Sequence, residues 1–454
     1  MRDAIHDYLI TAGDQIRWNR ARPALLAELE DHLRSEEEAC RAAGLSETEA
    51  QAEAVRQMGD PVMIGQELDS VHRPRPQWKL LGLTLAVALA VTGLRLFLTW
   101  CFRPYAGFPE DFETFFSREL GPACLALCLG TGGLLAGYFL DYTSLARWAK
   151  LLFPGALLLS FLLLPFWSPL IRLAYYGEYL LLLTVPTLYG GWVYNWRKQK
   201  WLGLILSIIG APAALGACFW AKYREFLGMG TMLTMGAVLL VLLASLTWGD
   251  WFALGKKPSR CLAVGLLSGS AIGFLYFTTL LNPVHQPLPL LLHPERYTDT
   301  YGACAAAIRD LLGTVPLIGQ AKWNGSYPVG EGADTLLLTT TLRQYGWLPF
   351  LLFAGSLMLL AVWLLVRGLR QTAVLGRITA VSVALPMLCW TVLGILGNLG
   401  IQWIYVTLPL ISGNCILAVQ MTLIGLALSV FRQESLPPAE VKTKPLFFFF
   451  PEVR

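Results

Sequence analysis

Ionisable side chains are scarce where this sequence is most apolar, so the few that border apolar runs are the first candidates for chemistry. Glu178 stands near the start of one such run, and Asp334, Arg343 and Gln344 stand just before another. Carboxylates in such places can move a proton and guanidinium groups can hold an anion. If the runs are helices with these ends on one side of a membrane, the groups could converge in one cavity. The bland alternative for each is an interfacial residue whose polar head reaches water. Arg95, in the outer turn of the first apolar run, has the same two readings, with snorkelling to water the favoured one.

Other residue types offer less. The nine cysteines show no paired metal spacing, and Cys101, Cys124, Cys128, Cys218, Cys261, Cys389 and Cys415 lie in or beside apolar segments, where cysteine behaves as a small hydrophobe. Cys124 and Cys128 are one helical turn apart, without a nearby histidine or carboxylate to complete a metal site. His6, His32 and His72 are scattered and read as ordinary surface or core histidines. The sequence indicates no cofactor and no metal, a divalent cation included.

The elements that must position the candidates are membrane helices. Of 454 residues 55% are hydrophobic and only 15% charged, with a mean hydropathy of +0.52, far more apolar than a soluble chain of this length. A net charge of +4 is too small to suggest a nucleic-acid partner. Residues 1–76 read as a charged helical module, whereas nearly everything from Trp78 to Phe431 reads as lipid-facing helix. The fold class is therefore all-α: a polytopic membrane domain over 77–432, a small soluble helical bundle before it and a tail over 433–454.

Ten crossings of roughly 20 residues are expected, at about 79–100, 121–141, 146–166, 178–195, 201–220, 229–248, 260–281, 344–366, 378–397 and 406–431. No signal peptide precedes the module, which puts the amino terminus in the cytoplasm. The basic residues agree with that orientation. Inner loops then carry Arg147 and Lys150, Arg197, Lys198 and Lys200, Lys256, Lys257 and Arg260, and Arg367, Arg370 and Arg377. Short outer loops hold only Arg103, Arg118, Arg172, Lys222 and Arg224, and an even number of crossings returns the tail, with Lys442 and Lys444, to the inside.

Within the module, Ser46 and Glu49 form a capping box that opens a helix running to about Met58, and Asp60-Pro61 starts another with aspartate as cap. Leu25, Leu26, Leu29 and Leu33 recur at helical spacing and face its core. One outer loop, about 282–343, is far longer than the other connections, and loops of that length are usually functional or disordered. Its apolar stretch from Ala303 to Ile318 argues against disorder and predicts re-entrant or interfacial helices covering a cavity. The run Phe447 to Phe450 suggests nothing beyond contact with the membrane surface.

The long loop and its exit resemble the FtsW/RodA/SpoVE proteins, the SEDS family. The resemblance lies in His293-Pro294-Glu295-Arg296 through Tyr301-Gly302, in Leu317-Ile318-Gly319-Gln320, and in Glu331-Gly332-Ala333-Asp334-Thr335 with the apolar run to Tyr345-Gly346. Asn398-Leu399-Gly400-Ile401, Leu408-Pro409-Leu410-Ile411-Ser412-Gly413-Asn414 and Tyr176-Gly177-Glu178-Tyr179 extend it, so that it covers about residues 80–432. The amino-terminal module is separately similar to the permease prefix (HAAS-type) domain of bacterial membrane proteins, through Met58-Gly59-Asp60-Pro61 and Ile64-Gly65.

What the resemblance implies is a peptidoglycan glycosyltransferase of the bacterial cytoplasmic membrane that polymerises lipid II in cell shape, division or sporulation. Its substrates would be lipid II and an undecaprenyl-pyrophosphate-linked glycan. Its partners would be membrane lipids, a penicillin-binding transpeptidase and a cytoplasmic partner of the prefix. Asp334 is the implied catalytic base, Arg296, Arg309 and Lys322 the implied phosphate ligands, and Glu178, Asn398 and Ser412 further substrate contacts. Counting back from Gly346, Thr335 is the gapless counterpart of the family's aspartate, and Arg343 and Gln344 replace two family glutamates. Those departures keep two alternatives open, a noncatalytic SEDS-like scaffold and a polytopic transporter.

Overall fold

The computed structural model describes residues 4–18, 21–74, 76–101, 111–163, 171–223, 229–280, 301–322, 336–401, 408–410 and 415–434. The side chains of 160–163, 171–182, 215, 217–223, 229–233, 273–280, 301–302 and 415 lie outside that description. Among the described residues the regular structure is helical, and the chain divides into two compact units, one built on Met1–Gln77 and the other on Trp78–Val430.

The first unit holds α1 (Ala4–Gln15), α2 (Arg22–Ala42), α3 (Glu47–Met58) and α4 (Pro61–Val71). Local chemistry sets the starts of the last two. The Ser46 amide donates to the Glu49 carboxylate at 3.1 Å in the capping box that opens α3, and Asp60 accepts from the Val62 amide at 3.1 Å with Pro61 in the first turn of α4. Leu25, Leu29 and Leu33 lie one turn apart on α2 and all are buried, Leu29 and Leu33 against Ile5, Tyr8 and Ala12 of α1. Leu26 is only partly buried and packs beside Ile16, Ala21 and Leu25.

Among the described residues of the second unit four helices are long and apolar enough to cross a membrane: α5 (Trp78–Cys101), α6 (Phe112–Phe139), α14 (Trp347–Leu369) and α15 (Val374–Asn398). Between them run α7 (Tyr142–Leu163), α8 (Ile171–Asn195), α9 (Lys200–Tyr223), α10 (Met229–Trp248), α11 (Lys256–Leu280), α12 (Tyr301–Leu312) and α13 (Leu337–Tyr345), and α16 (Cys415–Arg432) follows. Shorter apolar helical stretches lie at Lys200–Ala214, Thr234–Trp248 and Ile416–Arg432. The helix expected from residue 121 begins earlier, because Asp111 caps it by accepting from the Thr114 amide at 2.7 Å. It then passes through a wider π-helical turn, Phe116–Leu120.

Without water in the bilayer, polar groups must find partners within the protein. The Tyr189 hydroxyl of α8 donates to the Ser207 carbonyl of α9 at 2.8 Å. The Asn195 amide donates to the Ala146 carbonyl of α7 at 2.7 Å, and the Trp390 indole of α15 to the Thr234 hydroxyl of α10 at 3.1 Å. Phe153, Val185, Tyr189, Leu204 and Leu239 fill the space between α7, α8, α9 and α10.

The hydrophobic effect does not drive helices together in lipid, so close backbone approach matters more. Gly130, Gly133 and Gly137 of α6 lie against Ala418, Met421, Thr422 and Gly425 of α16. A side chain at Gly137 would collide with the Thr422 carbonyl and stand 2.9 Å from the Leu426 nitrogen. The Ser429 hydroxyl donates to the Leu140 carbonyl at the end of the same contact.

Two connections on one side of the unit are joined backbone to backbone. The Lys198 amide donates to the Trp251 carbonyl at 3.0 Å and the Lys200 amide to the Phe252 carbonyl at 2.8 Å. Asp250, at φ 58°, organises the second connection by accepting from the Leu254 amide at 2.9 Å, the Gly255 amide at 3.0 Å and the Ser259 hydroxyl at 2.7 Å. The Ser259 hydroxyl, then the Gly255 and Leu254 amides and the Lys256 charge, hold its carboxyl below the usual carboxylate range.

Two outcomes follow. Gly137→Leu should lower stability by about 1–3 kcal/mol, as overpacking does, read as an earlier thermal transition of the detergent-solubilised protein. Because the folded pKa of Asp250 is depressed, its contribution is present above the unfolded value and is lost as pH falls through the folded one. The melting temperature of Asp250→Ala should therefore lie below that of the unaltered protein at neutral pH, and the gap should close on acidification.

Candidate functional site

Leu336 and the residues after it, the described ones that follow the candidate base in sequence, are held by three elements: α12, α13 and the carboxyl end of α15. The first turn of α13 leaves backbone amides without intrahelical partners, as does any helix start. One of them, the Thr339 amide, donates to Asn398 Oδ1 at 2.8 Å. The Thr339 hydroxyl donates to the Asn398 carbonyl at 2.9 Å and lies 3.0 Å from Oδ1. The other side of the Asn398 amide donates to the Gly394 carbonyl at 2.8 Å. Asn398 is 1% exposed and Thr339 0%, so this is a buried clamp between two helix ends, closed to water.

The turn after α15 receives α12. Arg309 Nε donates to the Gly400 carbonyl at 3.2 Å. Gly400 has φ +78°, and a Cβ there would lie 3.0 Å from Arg309 Cγ and 3.1 Å from the Ala305 carbonyl. The neighbouring face of α12 buries Cys304 and Ile308 against Leu336, the residue before α13.

A third strap lies at the far end of α13, where residues 316–321 run beside 343–348. The Gly319 amide donates to the Tyr345 carbonyl at 3.0 Å, Ala321 to Arg343 at 2.8 Å, Trp347 to Pro316 at 3.1 Å and Leu348 to Leu317 at 3.0 Å. Gly346 makes this possible. Its φ is +87°, and a Cβ there would lie 2.6 Å from the Pro316 oxygen and 2.8 Å from that of Leu317, an approach and a conformation open to glycine. Lys322 follows Ala321 on this strap and is exposed, while Arg343 is half-buried.

The structure thus brings Arg309 and Asn398 to one turn and places Lys322 on the strap beside Arg343. Asp334, Arg296 and Ser412 lie outside the described residues, as does the side chain of Glu178, whose backbone belongs to α8. Among the described residues no cluster of histidine, cysteine and carboxylates could hold a metal. A small apolar cavity lies elsewhere, between Leu183, Met387, Trp390, Pro409, Gln420 and Ile424.

One charged feature escaped the sequence reading. Arg95 donates to Glu119 at 2.9 Å, with side-chain exposures of 12% and 24%, joining α5 to the wider turn of α6. Arg95 therefore does not reach for water as expected. Near it, Phe97 of α5 meets Tyr345 of α13, ring centroids 6.1 Å apart, so α5 touches the helix that follows the candidate base. The signal available in sequence was a carboxylate, Glu119, close to the start of an apolar run.

No family model matches the chain, and no curated protein matches it significantly. Among solved structures it is similar to a chain from a peptidoglycan synthase complex, described for its structural coordination of polymerization and crosslinking. The likeness covers 79% of this chain and 98% of that one, with a TM-score of 0.55 and 18% identity. At such identity the finding is one of fold. The protein is a helical membrane protein, and its fold is shared with a chain of that synthase complex.

Asn398→Ala should leave the Thr339 amide buried without its partner, a loss of about 1–3 kcal/mol. Thermal unfolding of the purified variant checks this, with Leu399→Ala as the neighbouring control.

Proposed function

We propose that the protein is a divergent SEDS-type glycosyltransferase that extends glycan strands from lipid II. Its membrane domain would have ten crossings with both termini cytoplasmic, and its amino-terminal unit would be a permease-prefix domain for a cytoplasmic partner. The observation that carries this reading is the fold likeness, which spans nearly the whole of a chain from a peptidoglycan synthase complex. The motif order from Glu178 to Ser412 supports it.

In this reading the 4-hydroxyl of lipid II attacks the anomeric carbon of the lipid-linked glycan. Asp334 takes the hydroxyl proton as the new glycosidic bond forms, and undecaprenyl pyrophosphate leaves with the electron pair of the broken bond. Positive charge is needed where the pyrophosphate develops its own negative charge. Arg296 and Lys322 are assigned that role, with Arg309 holding the turn at Gly400 as well. Glu178 and Ser412 complete the proposed substrate contacts, whereas Asn398, buried in its clamp with Thr339, positions the start of α13 instead of touching substrate, and a penicillin-binding transpeptidase is the proposed partner that would crosslink the product.

A second reading, a noncatalytic scaffold of the same machinery, is favoured by a specific observation. Arg309 and Asn398 are engaged in backbone bonds that hold helix ends together, which a scaffold also needs. Reconstituted protein supplied with purified lipid II distinguishes the two. Glycan strands formed by the unaltered protein and by Thr335→Ala, but reduced about 100-fold or more in Asp334→Ala, are the expected result for a general base. No strands from folded protein, with or without a transpeptidase, would leave the scaffold.

A further inference from the structure

The strap at residues 316–321 carries two apolar side chains that are exposed among the described residues. Leu317 and Ile318 are each 67% exposed. They cannot withdraw, because the carbonyls of Pro316 and Leu317 accept from the amides of Trp347 and Leu348 and the Gly319 amide is bonded to Tyr345. The adjoining helix α14 has two faces. Phe350, Ala354, Leu357, Ala361 and Leu364 are buried, whereas Leu348, Leu352, Leu359, Val362 and Val366 are exposed along the opposite side.

Because Leu348 is bonded to Leu317, the exposed pair continues the exposed face of α14. That helix is long and apolar enough to cross a membrane, so the face it shares with the strap is suited to acyl chains rather than water. The polarity changes within a few residues, since Gln320 and Lys322 are exposed just beyond Ile318, and Trp347 lies at the same level of the chain, an arrangement typical of the lipid–water boundary. A protein helix is a poorer fit. The α6–α16 contact is built around glycines, Gly130, Gly133 and Gly137 on one helix and Gly425 on the other, whereas the outward face of α14 is dominated by leucine and valine, the residues of a lipid-facing surface.

We propose that Leu317 and Ile318 form an interfacial anchor that inserts into the phospholipid layer beside α14 and fixes the depth of the strap. This anchor goes beyond the glycosyltransferase reading and does not depend on it. The Gly346 approach that locks the strap to α14 is then what keeps the anchor at the membrane boundary.

The test places a photoreactive benzophenone amino acid at Ile318 of the full-length protein in its native membrane, with Leu352 as the lipid-facing control and Leu317 as a second anchor position. Irradiation at either anchor position should add the mass of a phospholipid, as it does at Leu352. A discrete protein adduct at both anchor positions, or no adduct at either while Leu352 captures lipid, would overturn the proposal. Gln320 adds an independent reading: a photoreactive group there, just beyond the boundary, should capture far less lipid than one at Ile318, and equal capture at the two positions would count against an interfacial anchor.

Discussion

In a protein interior that borders lipid, two helix ends that meet face the same problem: amides on one side and carbonyls on the other have no water to bind. Here Asn398 and Thr339 solve it for each other. The carbonyl and side chain of the first residue engage the hydroxyl and amide of the second, and the Asn398 side-chain nitrogen donates back to the Gly394 carbonyl. The start of α13 is thereby fixed to the end of α15. Arg309 then brings α12 to the same turn through Gly400, and the strap at 316–321 holds the other end of α13 through Gly346. α13 is therefore held at both ends, at its start by side-chain bonds of Asn398 and Thr339 and at its far end by the backbone bonds of the strap.

The ion pair between Arg95 and Glu119 is of a different kind. Taking both charges out of water is costly, and the pair is retained only if its geometry returns most of that cost. It stands on the wider turn of α6, where the helix rotates its side chains out of the usual register. Such turns are common at functional positions. In this chain the turn aims Glu119 at α5, the helix whose Phe97 lies against Tyr345.

Local features were the most legible in the sequence. The box at Ser46 and Glu49 and the cap at Asp60 lie within one helical turn, so their partners are visible in a few letters. Leu25, Leu29 and Leu33 follow from periodicity alone. The early start of α6 was missed because Asp111 and the turn at Phe116–Leu120 lie in a segment too mixed in polarity to resemble a span. Arg95 was misread for another reason: snorkelling is inferred from one side chain, while pairing needs knowledge of which helix is its neighbour. The bonds of Arg309 and Asn398 are hidden in the same way, since their partners lie 91 and 59 residues away. Of the two short helices, α12 was foreshadowed by the apolar stretch from Ala303, but α13 and the strap were not. It depends on the φ of Gly346, which no hydropathy pattern encodes.

The glycine face of α6 has a consequence for how the molecule is made. Its partner α16 is the last described helix, and Ser429 meets Leu140 across 289 residues of chain. During synthesis α6 reaches the membrane long before α16 exists, so its row of glycines must wait in contact with lipid or with a temporary neighbour. Contacts so distant in sequence form late. The arrival of α16 is thus the event that fills this contact, and a chain interrupted before it would leave an early helix with its closest-packing surface unfilled.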